Sequence, residues 1–117
     1  MTQYVALTYT ADVDWTAPEQ AEEMKDWVQF GRDHAAAIGG GAVLYQTATA
    51  TTVRVRGGRG GDVVTSDGPY AETKEALTGL YLLEAADLEE AVRIAAEIPA
   101  AWNGAVEIRP VIRYYEG

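Results

Sequence analysis

Cysteine is absent from this chain of 117 residues, so disulfides, thiolate nucleophiles and sulfur-ligated metals are excluded together. Histidine occurs once, at His34, which leaves carboxylates as the only numerous metal ligands, and no group of them has the spacing of a calcium loop. Cations are scarce as well: 9 Lys and Arg stand against 18 Asp and Glu, a net charge of −9. The acidic residues crowd the helical stretches, while most Arg residues lie in strand-like ones. A phosphate backbone is repelled over most of such a surface, so direct nucleic-acid binding is not expected. No apolar run approaches the roughly 20 residues of a membrane span. The N-terminus has neither the basic start nor the apolar stretch of a secretory signal, and a cytoplasmic location is the expectation. With neither a dinucleotide glycine fingerprint nor a serine nucleophile motif, no cofactor is expected.

What is present is a single domain's worth of alternating and amphipathic segments over residues 1–117, since domains of about 100–150 residues are commonest. Residues 3–9 alternate as a strand. Thr16, Pro18 and Glu19 signal a helix start, and Ala21, Met24, Val28, Ala35 and Ile38 then fall on one side at helical spacing, with Trp27 and Gly31 beside them. This predicts a helix of about five turns, stopped by Gly39-Gly40-Gly41. Residues 42–46 read as a short strand. Thr51–Arg56 and Asp62–Thr65 flank a glycine-rich tip, Gly57 to Gly61, and read as a hairpin; the tip lacks the Lys-Ser/Thr ending of a phosphate loop. Leu77–Glu84 continues as a strand, and Gly79 suits a close backbone approach. Asp87 caps a second helix with Leu88, Ala91, Val92 and Ala95 on its buried stripe and Glu89, Glu90, Arg93 and Glu97 facing water, and Pro99 ends it. Residues 105–115 form the last strand, where Pro110 requires an edge or a bulge.

This order is α+β: the split βαβ plan of a ferredoxin-like fold with an inserted β-hairpin. Helices amphipathic on one side only pack on a single face of an antiparallel sheet, which leaves the other face, with its Tyr, Leu and Val side chains, to a second copy of the chain. Homodimerisation is therefore the expected partnership.

The densest cluster of chemistry is Asp67-Gly-Pro-Tyr-Ala-Glu-Thr-Lys-Glu75, where glycine and proline dictate a turn and Tyr70, Glu72 and Lys74 follow it. The stretch resembles the Asp-Gly-Pro-Phe signature of the DGPF-domain or YCII-related family of small bacterial proteins, with Tyr70 at the Phe position. Tyr4–Tyr9, Ala48–Val55, Thr78–Glu84, Asp87–Ala91, Ile98–Ala100 and Val106–Val111 are similar to that family in the same order. The resemblance implies a dimeric α+β barrel. It implies little about activity, although family members occur near or fused to extracytoplasmic-function sigma factors, which makes a regulatory module working through a protein partner the alternative to a small-molecule site.

The expected site is a cleft near the Asp67 turn that takes a small anionic or aromatic molecule. Asp67 is the candidate base, with Tyr70, Lys74 or His34 assisting in isomerase- or lyase-like chemistry. Against this, Asp67 can simply cap its turn, Lys74 can pair with Glu72 or Glu75, and Tyr70 can fill a gap. Relatives of the resembled type pair a His with an Asp; here Asp33 adjoins His34 and points elsewhere on the helix, so His34 reads as a boundary residue unless another carboxylate reaches it. Tyr9, Arg54 and Glu72 are the candidate ligand-binding residues. Arg54 and Arg56 share a strand face and can grip a carboxylate or phosphate, or pair across the hairpin with Asp62.

Overall fold

The computed structural model describes residues 1–113. Strand β1, Thr2–Thr10, is followed by a 3₁₀ turn and helix α1, Ala21–Asp33; then come β2, Ile38–Val43, the hairpin strands β3, Thr51–Arg56, and β4, Asp62–Asp67, and β5, Ala76–Ala85. Helix α2, Leu88–Ala95, short helix α3, Ala100–Asn103, and β6, Ala105–Pro110, complete the order. The sheet runs β2-β5-β1-β6 with every pairing antiparallel, while β3 and β4 form a sheet of their own. The ferredoxin-like α+β expectation and its inserted hairpin stand. Pro110 closes the edge strand β6, where a missing N–H costs no ladder bond. Tyr114 and Tyr115, assigned to that strand from the sequence, lie outside the described residues.

Register explains the division of faces. Tyr4 stands opposite Leu83 and Ala6 opposite both Tyr81 and Ile108, and these side chains meet the helices. Ala6, Leu83, Ile94, Ala95, Ile98 and Ala100 enclose Phe30 in one core cluster, and Tyr4, Ala85 and Ala91 form a second. Full burial of side chains such as Leu83 and Ile98 contributes about 1.5–3 kcal/mol each. Val5 opposite Leu82, and Leu7 opposite Leu80, point the other way; they belong to neither cluster and stay partly exposed. The molecule is correspondingly thin, 46 × 44 × 20 Å, close to one sheet plus one helix layer at roughly 10 Å each. Its radius of gyration, 16.4 Å, exceeds the about 13 Å of a compact chain of this length. The hairpin carries Val53, Val55 and Val63 exposed.

Several local expectations change. Helix α1 ends at Asp33, and His34 to Ala37 form a turn, so Ala35 and Ile38 leave the helix. Its buried face is set by the aromatics: Phe30 is buried and Trp27 half-buried, while Val28 is 48% exposed. Two rings three residues apart bury more area than the smaller Ala21 and Val28 they displace outward. Gly39-Gly40-Gly41 does not stop the helix; it lies within β2, which runs 38–43 and not 42–46. At Gly41 a Cβ would come within 2.9 Å of the Leu80 carbonyl, so close strand packing accounts for the residue. Thr16 does not cap the helix but donates from its N–H and hydroxyl to Asp14, and a 3₁₀ turn opened by Pro18 leads into α1.

In α2 the buried stripe is Ala91, Ile94 and Ala95, with Ile98 buried just beyond its end, leaving Leu88 and Val92 exposed. Asp87 caps as expected, accepting from the Glu90 N–H at 2.9 Å. Pro99 is buried and opens α3; the preceding helix has already ended at Ala95. Gly79 behaves as expected: a Cβ there would lie 2.6 Å from the Ala42 carbonyl. Asp67 is the last residue of β4, opposite Thr51, and the turn begins at Gly68 with φ +101°.

Candidate functional site

Two cavities of ligand size flank the sheet. The first, about 780 Å³, lies between the end of β1, the β2–β3 connection and the signature turn. A bulge between Thr8 and Tyr9 shifts the register so that Tyr9 faces Leu77, and such bulges re-aim side chains. Backbone ties hold the walls: the Gly68 N–H donates to the Ala50 carbonyl at 2.7 Å, and the Thr52 hydroxyl donates to the Gly68 carbonyl at 2.9 Å. The positive φ of Gly68 makes these bonds possible, since a side chain is disfavoured there.

Tyr9, Tyr45 and Tyr70 supply aromatic surface to this cleft, and Asp12 and Glu72 are its charged lining residues. Asp12 accepts from the Thr47 N–H at 2.9 Å and, through its other oxygen, from the Thr47 hydroxyl. Those two bonds hold its carboxyl below the usual carboxylate range. Among the described residues no Lys or Arg lines the cleft.

Of the residues singled out from the sequence, Tyr9, Tyr70 and Glu72 meet here. Arg54 joins them indirectly, its guanidinium over the Tyr70 ring; Arg56, and not Arg54, stands opposite Asp62. Asp67 and Lys74 are exposed and lie outside the lining of both cavities. Among the described residues Asp67 caps no backbone N–H, and Lys74 makes no ion pair with Glu72 or Glu75. His34 is elsewhere again: it stacks near Phe30 and bonds Glu97, which follows α2 and is 59% exposed. The carboxylate that reaches this histidine is thus one assigned to solvent from the sequence. Sequence reasoning missed Asp12, Tyr45 and Thr47. The only available signal was an Asp two residues past a strand, because its partner lies 35 residues away.

The second cavity, about 480 Å³, lies between α1 and strands β2 and β5. Trp27 stacks on Tyr81 with ring centres 6.3 Å apart and planes at 18°, and Trp15 meets Trp27 edge-on at 5.8 Å. Burial pushes the Tyr81 phenol above its ordinary value. At one end the buried hydroxyls of Thr8 and Thr78 bond each other at 3.2 Å. Among the described residues no three His, Asp or Glu side chains converge as metal ligands, and no helix is long and apolar enough to cross a membrane.

Fold and cavities define a small α+β protein with one helix-covered sheet face and two ligand-sized hollows. The chain belongs to the YCII-related domain family, which it matches over residues 2–114. It is 36% identical over 107 residues to an uncharacterized protein of Rhizobium meliloti (strain 1021), covering 88% of this chain and 84% of that one.

Proposed function

We propose that the protein acts as a homodimer that binds a small aromatic molecule in the cleft beside the Gly68-Pro69-Tyr70 turn. The observation that carries this reading is the lining: three tyrosines and two carboxylates, with the nearest guanidinium, Arg54, outside it and engaged with the Tyr70 ring. Tyrosine rings bind aromatic surface by offset or edge contact. Asp12 and Glu72 repel an anionic guest, so of the two ligand classes expected from the sequence the aromatic one is favoured. Binding, in place of acid–base turnover, accounts best for the position of Asp67 and Lys74 outside the lining. The second copy is called for by Val5, Leu7, Leu80 and Leu82, which form an apolar sheet surface that the core leaves partly exposed.

Tyramine and 4-hydroxybenzoate, which share a phenol ring and differ in charge, test the reading by calorimetry and thermal shift. Saturable binding of tyramine, weakened by Tyr70→Ala, supports it. Tighter binding of 4-hydroxybenzoate returns the anionic alternative, and no binding of either compound removes the proposal.

A further inference from the structure

We propose that the cavity between α1 and β2 is a second, separate binding site, which takes a flat, uncharged molecule of one or two aromatic rings. None of its 14 lining residues carries a charge, in a chain where 23% of residues do. A cavity without ionic partners strips part of the hydration from a charged guest and offers nothing in exchange. The shape is equally selective. The stacked Trp27 and Tyr81 rings make a flat wall, Trp15 stands edge-on to it, and Met24 adds a polarisable thioether that favours aromatic contact.

On the strand side, Gly41 keeps the hollow from closing. A side chain there would press on Tyr81 Cδ1 at 3.1 Å, so the absence of a Cβ preserves both the strand pairing and the ring's place in the wall. The polar groups of the lining residues are all uncharged, those of Trp15, Tyr81 and the β2 glycine backbone included. The Thr8 and Thr78 hydroxyls mark one end, and the indole N–H of Trp27 is buried without an acceptor among the described residues. The two sites differ in kind: the signature cleft is acidic and ringed by tyrosines, whereas this one is neutral and walled by indoles.

The test uses the full chain with Trp102→Phe, which removes the indole that lies outside the cavity and donates to the Ala96 carbonyl. Emission then comes from Trp15 and Trp27 alone. The uncharged N-phenyl-1-naphthylamine is expected to quench that emission saturably, with one site per chain. Its sulfonated relative 1-anilino-8-naphthalenesulfonate is expected to bind about tenfold more weakly or worse, because its charge has no partner. Met24→Lys weakens the neutral probe by about tenfold or more, a loss of about 1.4 kcal/mol. Tyr70→Ala leaves it within about twofold. Val43→Phe, which adds no indole at an exposed lining position, plugs the mouth and gives the same loss should Met24→Lys fail to fold by circular dichroism. The site is overturned by absence of saturable quenching, by stronger binding of the sulfonate, or by a folded Met24→Lys or Val43→Phe that binds as the parent does. Loss of the probe in Tyr70→Ala also overturns it, because that places the guest in the signature cleft.

Discussion

The guanidinium of Arg54 lies 5.1 Å from the centre of the Tyr70 ring, so the β3–β4 arm and the signature turn are joined by side chains as well as by the chain itself. Tyr70 is 76% exposed, and at exposed sites such a cation–π contact contributes about 0.5–1 kcal/mol. A double-mutant cycle of Arg54→Ala and Tyr70→Leu, read by urea unfolding, is expected to give a coupling of that size. Additive losses would show that the contact does not hold the turn.

Asp12 ties the segment after β1 to the start of the hairpin connection through Thr47. Its folded value is lowered first by the Thr47 hydroxyl and then by the Thr47 N–H. A lowered carboxyl stabilises the fold above the unfolded value of about 3.9 and loses that contribution as pH falls through the folded value. Asp12 is exposed, so water screens the gain, and Asp12→Ala is expected to cost only about 0.5–1 kcal/mol at pH 7. The difference between parent and variant should shrink below about pH 3.9. Denaturant midpoints at both pH values check it, and a difference that persists unchanged in acid refutes the assignment.

How much of this was legible in the sequence depends on the range of the interaction. Strands β1 and β5, the hairpin and the Asp87 cap follow from alternation, glycine placement and a three-residue spacing, all local signals. The face of α1 was not legible, because Val28 and Phe30 compete for the core and only the packed sheet decides which ring or branch fits. Gly39 to Gly41 carries the same ambiguity: a triple glycine ends helices in isolation, yet here it lets an edge strand approach Tyr81. At the site, Tyr9, Tyr70 and Glu72 were named from the signature and its expected cleft. Asp12 with Thr47 and His34 with Glu97 bridge 35 and 63 residues, and nothing local announces such pairs.

Gly68 adopts φ +101° and donates to the Ala50 carbonyl, so the turn depends on a conformation that side chains rarely adopt. Open space surrounds the position of a Cβ there, which makes backbone strain, and not collision, the cost of substitution. Gly68→Ala is therefore expected to destabilise by about 1–2 kcal/mol and to weaken binding in the signature cleft while leaving the indole-walled cavity unaffected. Thermal unfolding and the two ligand titrations check this together. An unchanged melting temperature would show that the turn relaxes without strain.

His34 and Glu97 close the space between the end of α1 and the segment after α2, away from both cavities. The pair is half in solvent, with the histidine side chain 21% exposed and the glutamate 59% exposed. A cycle of His34→Ala and Glu97→Ala is expected to give about 0.5–1 kcal/mol of coupling in stability, with ligand binding in either cavity kept within about twofold. Loss of binding in His34→Ala, with the fold retained, would instead attach this histidine to a site.

The exposed sheet surface is where the proposed homodimer is tested. Val5 and Leu82 face each other across β1 and β5, with Leu7 and Leu80 alongside, and none of the four joins the helix-packed core. Each contributes up to about 1.5–3 kcal/mol on full burial, so covering four of them in each of two chains offsets the entropic cost of association, about 4–15 kcal/mol. Leu82→Glu puts a charge in that contact twice over, once from each copy, yet leaves the single chain's core untouched. Sedimentation velocity at micromolar concentration is expected to give the mass of two chains for the parent and of one for Leu82→Glu, with matching circular dichroism spectra. A parent that sediments as one chain shows that this surface stays in water. The homodimer then falls, while both cavities, formed within a single chain, remain open to the ligand tests.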